Sequence, residues 1–171
     1  MQTVKAVPGW FRIVAVIGVL LSLVIMAVNI IMIFTRMYLL DWHYVTYVRV
    51  LGYMLFFALL LLYSDRAWLR LVYAFGAAVS FLRFLLWFNL FNYEFSLVDV
   101  INLVLLLVCI VTWIYEKGVW KKAALLFGLS FLLNYVNWLD MSYLQFFIYH
   151  SILQIPIGLG FASLALSKKE A

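Results

Sequence analysis

The sequence predicts an all-α, polytopic membrane protein with six transmembrane helices arranged as three consecutive helical hairpins. Hydrophobic residues make up 69% of the 171 residues and charged residues only 11%, whereas charged residues alone form about 25% of a typical soluble domain. The mean hydropathy is +1.13. The apolar segments are continuous over roughly 17 to 26 positions, the length of a membrane-spanning helix, and lack the alternating pattern of an outer-membrane strand.

Six spans follow one another with very short connections. In order, we predict them at residues 13–34, 44–63, 71–91, 98–115, 123–139 and 142–166. The fourth and fifth are near the lower length limit for a span and carry polar residues, so a re-entrant fifth segment is the main alternative. The first ten residues are too short and too weakly basic for a conventional signal peptide, and we expect the N-terminus to be retained.

The lysine and arginine residues are distributed unequally between the two sides of this arrangement. Only Arg36 falls in a loop on one side, and Arg49 and Arg83 fall within spans. The other side holds Lys5, Arg12, Arg66, Arg70, Lys117, Lys121, Lys122, Lys168 and Lys169. The positive-inside rule therefore predicts that both termini are cytoplasmic, in a plasma membrane or a bacterial inner membrane. Because the basic residues mark span ends and form no patch, the sequence gives no reason to expect nucleic-acid binding.

A weak internal repeat divides the chain into hairpins at approximately residues 10–66, 67–120 and 121–168. Each hairpin opens with a basic residue followed six positions later by a glycine, at Gly18, Gly76 and Gly128. This pattern favours triplication of a two-helix unit, although common membrane-boundary rules produce the same similarity. Serines follow these glycines closely in the first, third and fifth spans, so we expect these odd-numbered helices to pack tightly near the cytoplasmic side.

Polar residues collect in the outer half of the spans. The clearest is Arg83, because a guanidinium at that depth in lipid costs about 2.5–3.5 kcal/mol and therefore favours a place in the bundle interior. The helical spacing of the other polar residues predicts that they converge on the same interior. The candidate ligand-binding residues are Arg49, Arg83, Trp87, Asp99, Asn102, Asn134, Asn137, His150 and Gln154.

Two interpretations of these residues stay open, and they are compatible. In the first, they form a buried network in which Arg83 pairs with Asp99, and Arg49 pairs with an acidic residue of an outer loop. In the second, they line an outward-facing cavity where the two guanidiniums bind an anionic group between aromatic walls. Pro156 should kink the sixth helix beside His150 and Gln154, which would either gate such a cavity or merely bend the helix.

The first functional hypothesis is a protein that binds or transports a small anionic or amphipathic ligand, such as a lipid headgroup. The alternative is a non-catalytic structural or accessory subunit of a larger membrane complex or a homo-oligomer. A membrane enzyme is the least favoured class, because the sequence shows no nucleophile, carboxylate dyad or metal-ligand spacing. We therefore predict no catalytic residue, metal or cofactor. The predicted partners are membrane lipids, the ligand and another membrane subunit.

Overall fold

The structure, a computed structural model, describes residues 7–35, 42–87, 95–133 and 143–167. These residues form six α-helices and no strand, so the all-helical fold class is confirmed for the described part of the chain. The helices are α1 (Gly9–Thr35), α2 (Trp42–Tyr63), α3 (Ala67–Trp87), α4 (Phe95–Tyr115), α5 (Gly118–Leu133) and α6 (Tyr143–Ala165). α6 continues as one helix through Pro156.

Four stretches of helix are long and apolar enough to cross a membrane, by length and composition. They are Gly9–Thr35, Ala67–Leu86, Leu97–Tyr115 and Ile148–Ala165. A shorter apolar stretch, Val50–Tyr63, lies in α2. α5 has 16 residues, and residues 134–139 of the predicted fifth span lie outside the described residues. The described helices therefore support four spans directly.

The two faces of α1 indicate whether lipid or water surrounds the bundle. Its buried positions recur at helical spacing and form one stripe of Phe11, Ala15, Ser22, Ile25, Asn29 and Met32. The opposite face exposes large apolar side chains, with Ile13 at 65% and Leu20 at 56%. A helix at a water interface carries polar residues on that face. An apolar exposed face of this extent is typical of contact with lipid.

The six helices form a closed ring in chain order, because α6 returns to pack against α1. The contact between α1 and α6 is the most extensive, and the contact between α1 and α2 is the smallest. Adjacent helices are antiparallel. For α1 and α6, Gly18 contacts Phe161 whereas Ser22, further along α1, contacts the earlier Gly158 of α6. We call the end where α1, α3 and α5 begin the basic end, because Arg12, Arg66, Arg70, Lys117, Lys121 and Lys122 lie there. The other end is the distal end.

Three glycines of the odd-numbered helices, Gly18, Gly76 and Gly128, lie against side chains of even-numbered helices. A Cβ atom on Gly18 would lie 2.7 Å from the Phe161 ring of α6, and one on Gly76 would lie 3.0 Å from Val108 of α4. Gly128 likewise faces α4. The close packing expected at these small residues is present, and the partners at these three glycines include side chains of even-numbered helices. In an antiparallel ring, each odd-numbered helix is flanked by even-numbered ones, which meet its small residues first.

The links at the basic end are closed by local hydrogen bonds. The Arg70 Nε atom donates to the Ser64 carbonyl at 2.7 Å, which holds the start of α3 against the end of α2. Gly118 begins α5 with a φ of 58°. Because L side chains rarely adopt this left-handed region, glycine suits the turn from α4 into α5.

Candidate functional site

Aromatic rings fill the interior toward the basic end. Phe127 of α5 is fully buried, and its ring centroid lies 5.0 Å from Phe56 of α2 and 5.0 Å from Phe161 of α6. Trp120 extends the cluster about two turns of α5 toward the basic end, and its ring centroid lies 6.1 Å from that of Phe56. Rings at these separations pack favourably edge to face or tilted. We call Phe56, Trp120, Phe127 and Phe161 the aromatic floor.

Contacts near this floor show which residues of neighbouring helices lie at the same depth in the bundle. Gly76 of α3 lies against Val108 of α4, and Gly158 of α6 lies against Ser22 of α1. Roughly two helical turns, or about 10 Å, further toward the distal end, the same helices carry a polar residue each. We call these residues the polar layer: Asn29, Arg83, Asn102 and His150.

Arg83 places a positive charge inside the ring. Its side chain is 4% exposed, and its Cζ atom lies 5.9 Å from the centroid of the Phe131 ring. α3 and α5 are not neighbours in the ring, so this contact crosses the interior. A guanidinium within about 6 Å of an aromatic centroid is attracted by the ring quadrupole. The charge stands about 24 Å along α3 from its first residue, well beyond the aromatic floor.

Three buried side chains near this depth retain unused hydrogen-bonding capacity. The atoms are Asn29 Nδ2, Ser80 Oγ and Asn102 Oδ1, and none has a hydrogen-bond partner among the described residues. The three residues are at most 4% exposed. A buried polar group without a partner costs about 1–3 kcal/mol. Atoms of this kind mark positions where a ligand or an ordered water is accommodated.

Between the floor and the polar layer, a hydrogen-bonded pair joins α2 to α5. The Tyr53 hydroxyl and Ser130 Oγ are 2.7 Å apart, and Ser130 Oγ also bonds the Phe127 carbonyl at 2.7 Å. A serine hydroxyl has one hydrogen, so Ser130 donates to the carbonyl and accepts from Tyr53. The pair is fully satisfied and ties opposite sides of the ring together.

The predicted ligand-binding residues divide into three groups. Arg83, Asn102 and Gln154 are buried, with Gln154 1% exposed. Asp99 and His150 are half-buried, and the His150 ring packs edge-on against Tyr149 at 5.6 Å. The remaining predicted residues lie outside the description, either as whole residues or, within α2 and α3, as side chains: Asn134, Asn137, Arg49 and Trp87. The pairing of Arg83 with Asp99 stays a prediction.

Chemistry-bearing groups are sparse in the described part of the chain. It contains no group of three or more histidine, cysteine, aspartate or glutamate side chains arranged to hold a metal ion. Cys109 is a single buried thiol packed in the α4–α5 contact.

Two apolar grooves open laterally between helices. The first, of about 150 Å³, lies between α1 and α2 with α6 behind it and includes Gln154. The second, of about 250 Å³, lies between α4 and α5 and includes Trp113, Ala124 and Gly128. Polarity along the sequence does not reveal either groove, because their walls are as apolar as the rest of the helices. Phe161, which forms part of the first, also gave no sequence signal.

Comparison of the chain with protein-family models, with curated proteins and with solved structures finds no match in any of the three. Function is therefore inferred from the geometry of the interior.

Proposed function

We propose that the protein is an integral membrane bundle whose distal interior binds a small anionic or amphipathic molecule, such as a phospholipid headgroup. The burial of Arg83 over Phe131, level with Asn102, carries this proposal. The guanidinium offers several donors to phosphate or carboxylate oxygens. Asn29 Nδ2 in the polar layer is a further donor, without a partner among the described residues. The aromatic floor closes the interior below them, so the ligand enters and leaves at the distal side.

The proposal includes six spans in three hairpins, with both termini in the cytoplasm. It is supported by the antiparallel ring, by four helices of sufficient length, and by the clustering of lysine and arginine at the basic end. In this orientation the polar layer faces the outside of the cell.

Cysteine labelling tests this orientation. Thr35→Cys and Lys117→Cys, each in a Cys109→Ala background, place a thiol at exposed positions of opposite ends. A membrane-impermeant maleimide added to intact cells should label Thr35→Cys alone, and both after lysis. Labelling of Lys117→Cys from outside would reverse the orientation.

Ligand binding is tested with dodecyl phosphate as the probe and dodecanol as its uncharged control, on protein purified in a neutral detergent. We expect dodecyl phosphate to raise the unfolding temperature and to bind in native mass spectrometry. Arg83→Leu should weaken binding about tenfold or more, because a hydrogen bond to a charged group contributes about 1.5–3 kcal/mol.

Arg66 provides a matched control. Its Cζ atom lies 5.9 Å from the Tyr115 ring centroid, the same cation–aromatic geometry at the basic end. Arg66→Leu should leave probe binding unchanged. If a folded Arg83→Leu protein binds the probe as well as the original, Arg83 is a structural residue and the proposed ligand site is wrong. If Arg83→Leu does not fold, Arg83→Lys supplies the second test, since it retains the charge and loses the planar donor fork.

A non-catalytic accessory role is the second candidate, favoured by the groove between α4 and α5. Small residues at Ala124 and Gly128 and the exposed Trp113 give this surface the shape of a helix-packing site. A photoreactive amino acid at Leu132 should then crosslink to another subunit in native membranes. Crosslinks to lipid alone would exclude this role for the groove.

A further inference from the structure

The groove between α1 and α2 contains a polar group that its apolar walls do not satisfy. Gln154 of α6 lies in its lining and is 1% exposed, and its Nε2 atom has no hydrogen-bond partner among the described residues. The other polar side chain of the lining, Ser22, donates to the Gly18 carbonyl at 3.0 Å. The groove therefore offers one unmatched amide donor in an otherwise apolar space.

The floor of this groove is an aromatic ring. Phe161 reaches between α1 and α2, where a Cβ atom on Gly18 would come within 2.7 Å of it and one on Gly52 within 2.4 Å. Only glycine at both positions leaves space for the ring. Because α1 and α2 make the smallest contact in the helix ring, the groove opens toward the surrounding lipid at this seam. A planar group entering there packs against the small part of the Phe161 ring that stays uncovered at the groove.

The depth of Gln154 limits which molecules can place a hydrogen-bond acceptor next to its amide. It precedes the last residue of α6 by eleven positions, which corresponds to about 16 Å along the helix. That is near the middle of a hydrocarbon core about 30 Å thick. The ester carbonyls of phospholipids lie at the edges of this core, so they do not reach Gln154. The acceptor must belong to a molecule that resides within the hydrocarbon region.

We propose that this groove binds the ring of a lipid-soluble carbonyl compound, the class to which prenylated quinones belong. A ring carbonyl accepts a hydrogen bond from Gln154 Nε2 while the ring packs against Phe161 in the space of about 150 Å³. An apolar cavity of this volume accommodates a benzene-sized ring. The site is lateral and neutral, and it is independent of the charged distal site proposed above.

The test compares decylubiquinone with decylbenzene, which has the same chain and a six-membered ring but lacks the carbonyl, methoxy and methyl groups. Affinities are measured on the full-length protein in lipid nanodiscs by native mass spectrometry and by the shift in unfolding temperature. We expect decylubiquinone to bind about tenfold more tightly, the effect of one hydrogen bond to an otherwise unpaired buried donor. Gln154→Leu should remove this preference, whereas Gln145→Leu, at an exposed position of the same helix, should keep it.

Two further variants separate the outcomes. Ile17→Trp, on the half-exposed wall of the groove, should block both probes by filling the space. Without probe, Gln154→Leu should unfold at a higher temperature than the original, because an unpaired buried amide is removed. Equal binding of both probes, or an unchanged preference in Gln154→Leu, would overturn the proposal and leave an acyl-chain groove. Arg83→Leu should bind decylubiquinone normally, so failure of the distal site is distinguishable from failure of this one.

Discussion

The basic and distal halves of the bundle have similar exteriors but different interiors. Both expose apolar side chains around the ring. In the basic half, aromatic rings fill the centre, and the Tyr73 hydroxyl donates to Glu116 Oε1 at 2.7 Å. At the edge of this half, the half-buried Arg12 has two nitrogens, Nε and Nη2, that lack a partner among the described residues. In the distal half, Asn29, Ser80 and Asn102 are buried with atoms that have no partner among the described residues.

This difference separates the half that contributes more to stability from the half that, under the proposed function, binds the ligand. A filled interior with satisfied polar groups contributes to folding. Buried polar atoms without partners cost stability, and proteins keep such costs mainly at functional sites. The variants below test the comparison, from the largest expected effect to the smallest.

Phe127→Ala should cause the largest loss. Its ring contacts Tyr53, Phe56 and Phe161 from two other helices, and truncation leaves a cavity at the centre of the floor. We expect a loss of about 3 kcal/mol in unfolding free energy, the lower part of the range for buried phenylalanine, measured by denaturant titration in detergent. Phe81→Ala is the control, because Phe81 of α3 is 48% exposed. This substitution should reduce the unfolding free energy far less. Equal losses would mean that the floor is not the stability centre.

Gly160→Ala should destabilise by overpacking the same region. Its new Cβ atom would lie 2.6 Å from the Phe127 ring, and that ring is held on several sides. Overpacking of this kind costs typically about 1–3 kcal/mol. Gly9→Ala adds a methyl where no atom lies within 4 Å and should change stability little. If both glycines tolerate alanine equally, the floor is looser than its contacts indicate.

Tyr73→Phe should reduce the unfolding free energy by about 1.5 kcal/mol, the lower end for a hydrogen bond to a charged group, because it removes the bond to the Glu116 carboxylate. Tyr63→Phe is a suitable comparison, since its half-buried hydroxyl makes no hydrogen bond within the described residues. The measurement is the difference between the two unfolding free energies. If Tyr73→Phe reduces the unfolding free energy no more than Tyr63→Phe does, this would contradict the view that the Tyr73–Glu116 hydrogen bond stabilises the basic half.

The sequence reveals some of these features because they are marked by polarity or length. Six helices follow from six long apolar segments, and Arg83 and Gln154 attract attention as polar residues within them. Helix starts differ by several residues, at Gly9 and Ala67 for instance, because helical hydrogen bonding continues beyond the hydrocarbon boundary.

Other features have no sequence signal. Phe11 is fully buried and Ile13 is 65% exposed, yet both are apolar, so hydrophobicity does not separate the interior from the lipid face. The order of the ring, the position of Phe161 between Gly18 and Gly52, and both lateral grooves depend on that separation. The partner helix at each small residue has no sequence signal for the same reason, since a small residue indicates a close approach but not which helix approaches.

Two serines provide the smallest and most discriminating test. Ser80 and Ser130 are both fully buried, but Ser130 bonds Tyr53 and the Phe127 carbonyl, whereas Ser80 Oγ has no partner among the described residues. Ser130→Ala leaves the Tyr53 hydroxyl without its acceptor and should cost about 1 kcal/mol. Ser80→Ala removes an unpaired oxygen and should change the unfolding free energy by less than about 0.5 kcal/mol, in the stabilising direction. Both are measured in the same detergent titration without ligand. A loss for Ser80→Ala as large as that for Ser130→Ala would mean that Ser80 Oγ is as fully satisfied as Ser130 Oγ, and the argument from unpartnered polar atoms for the proposed ligand site would be weakened.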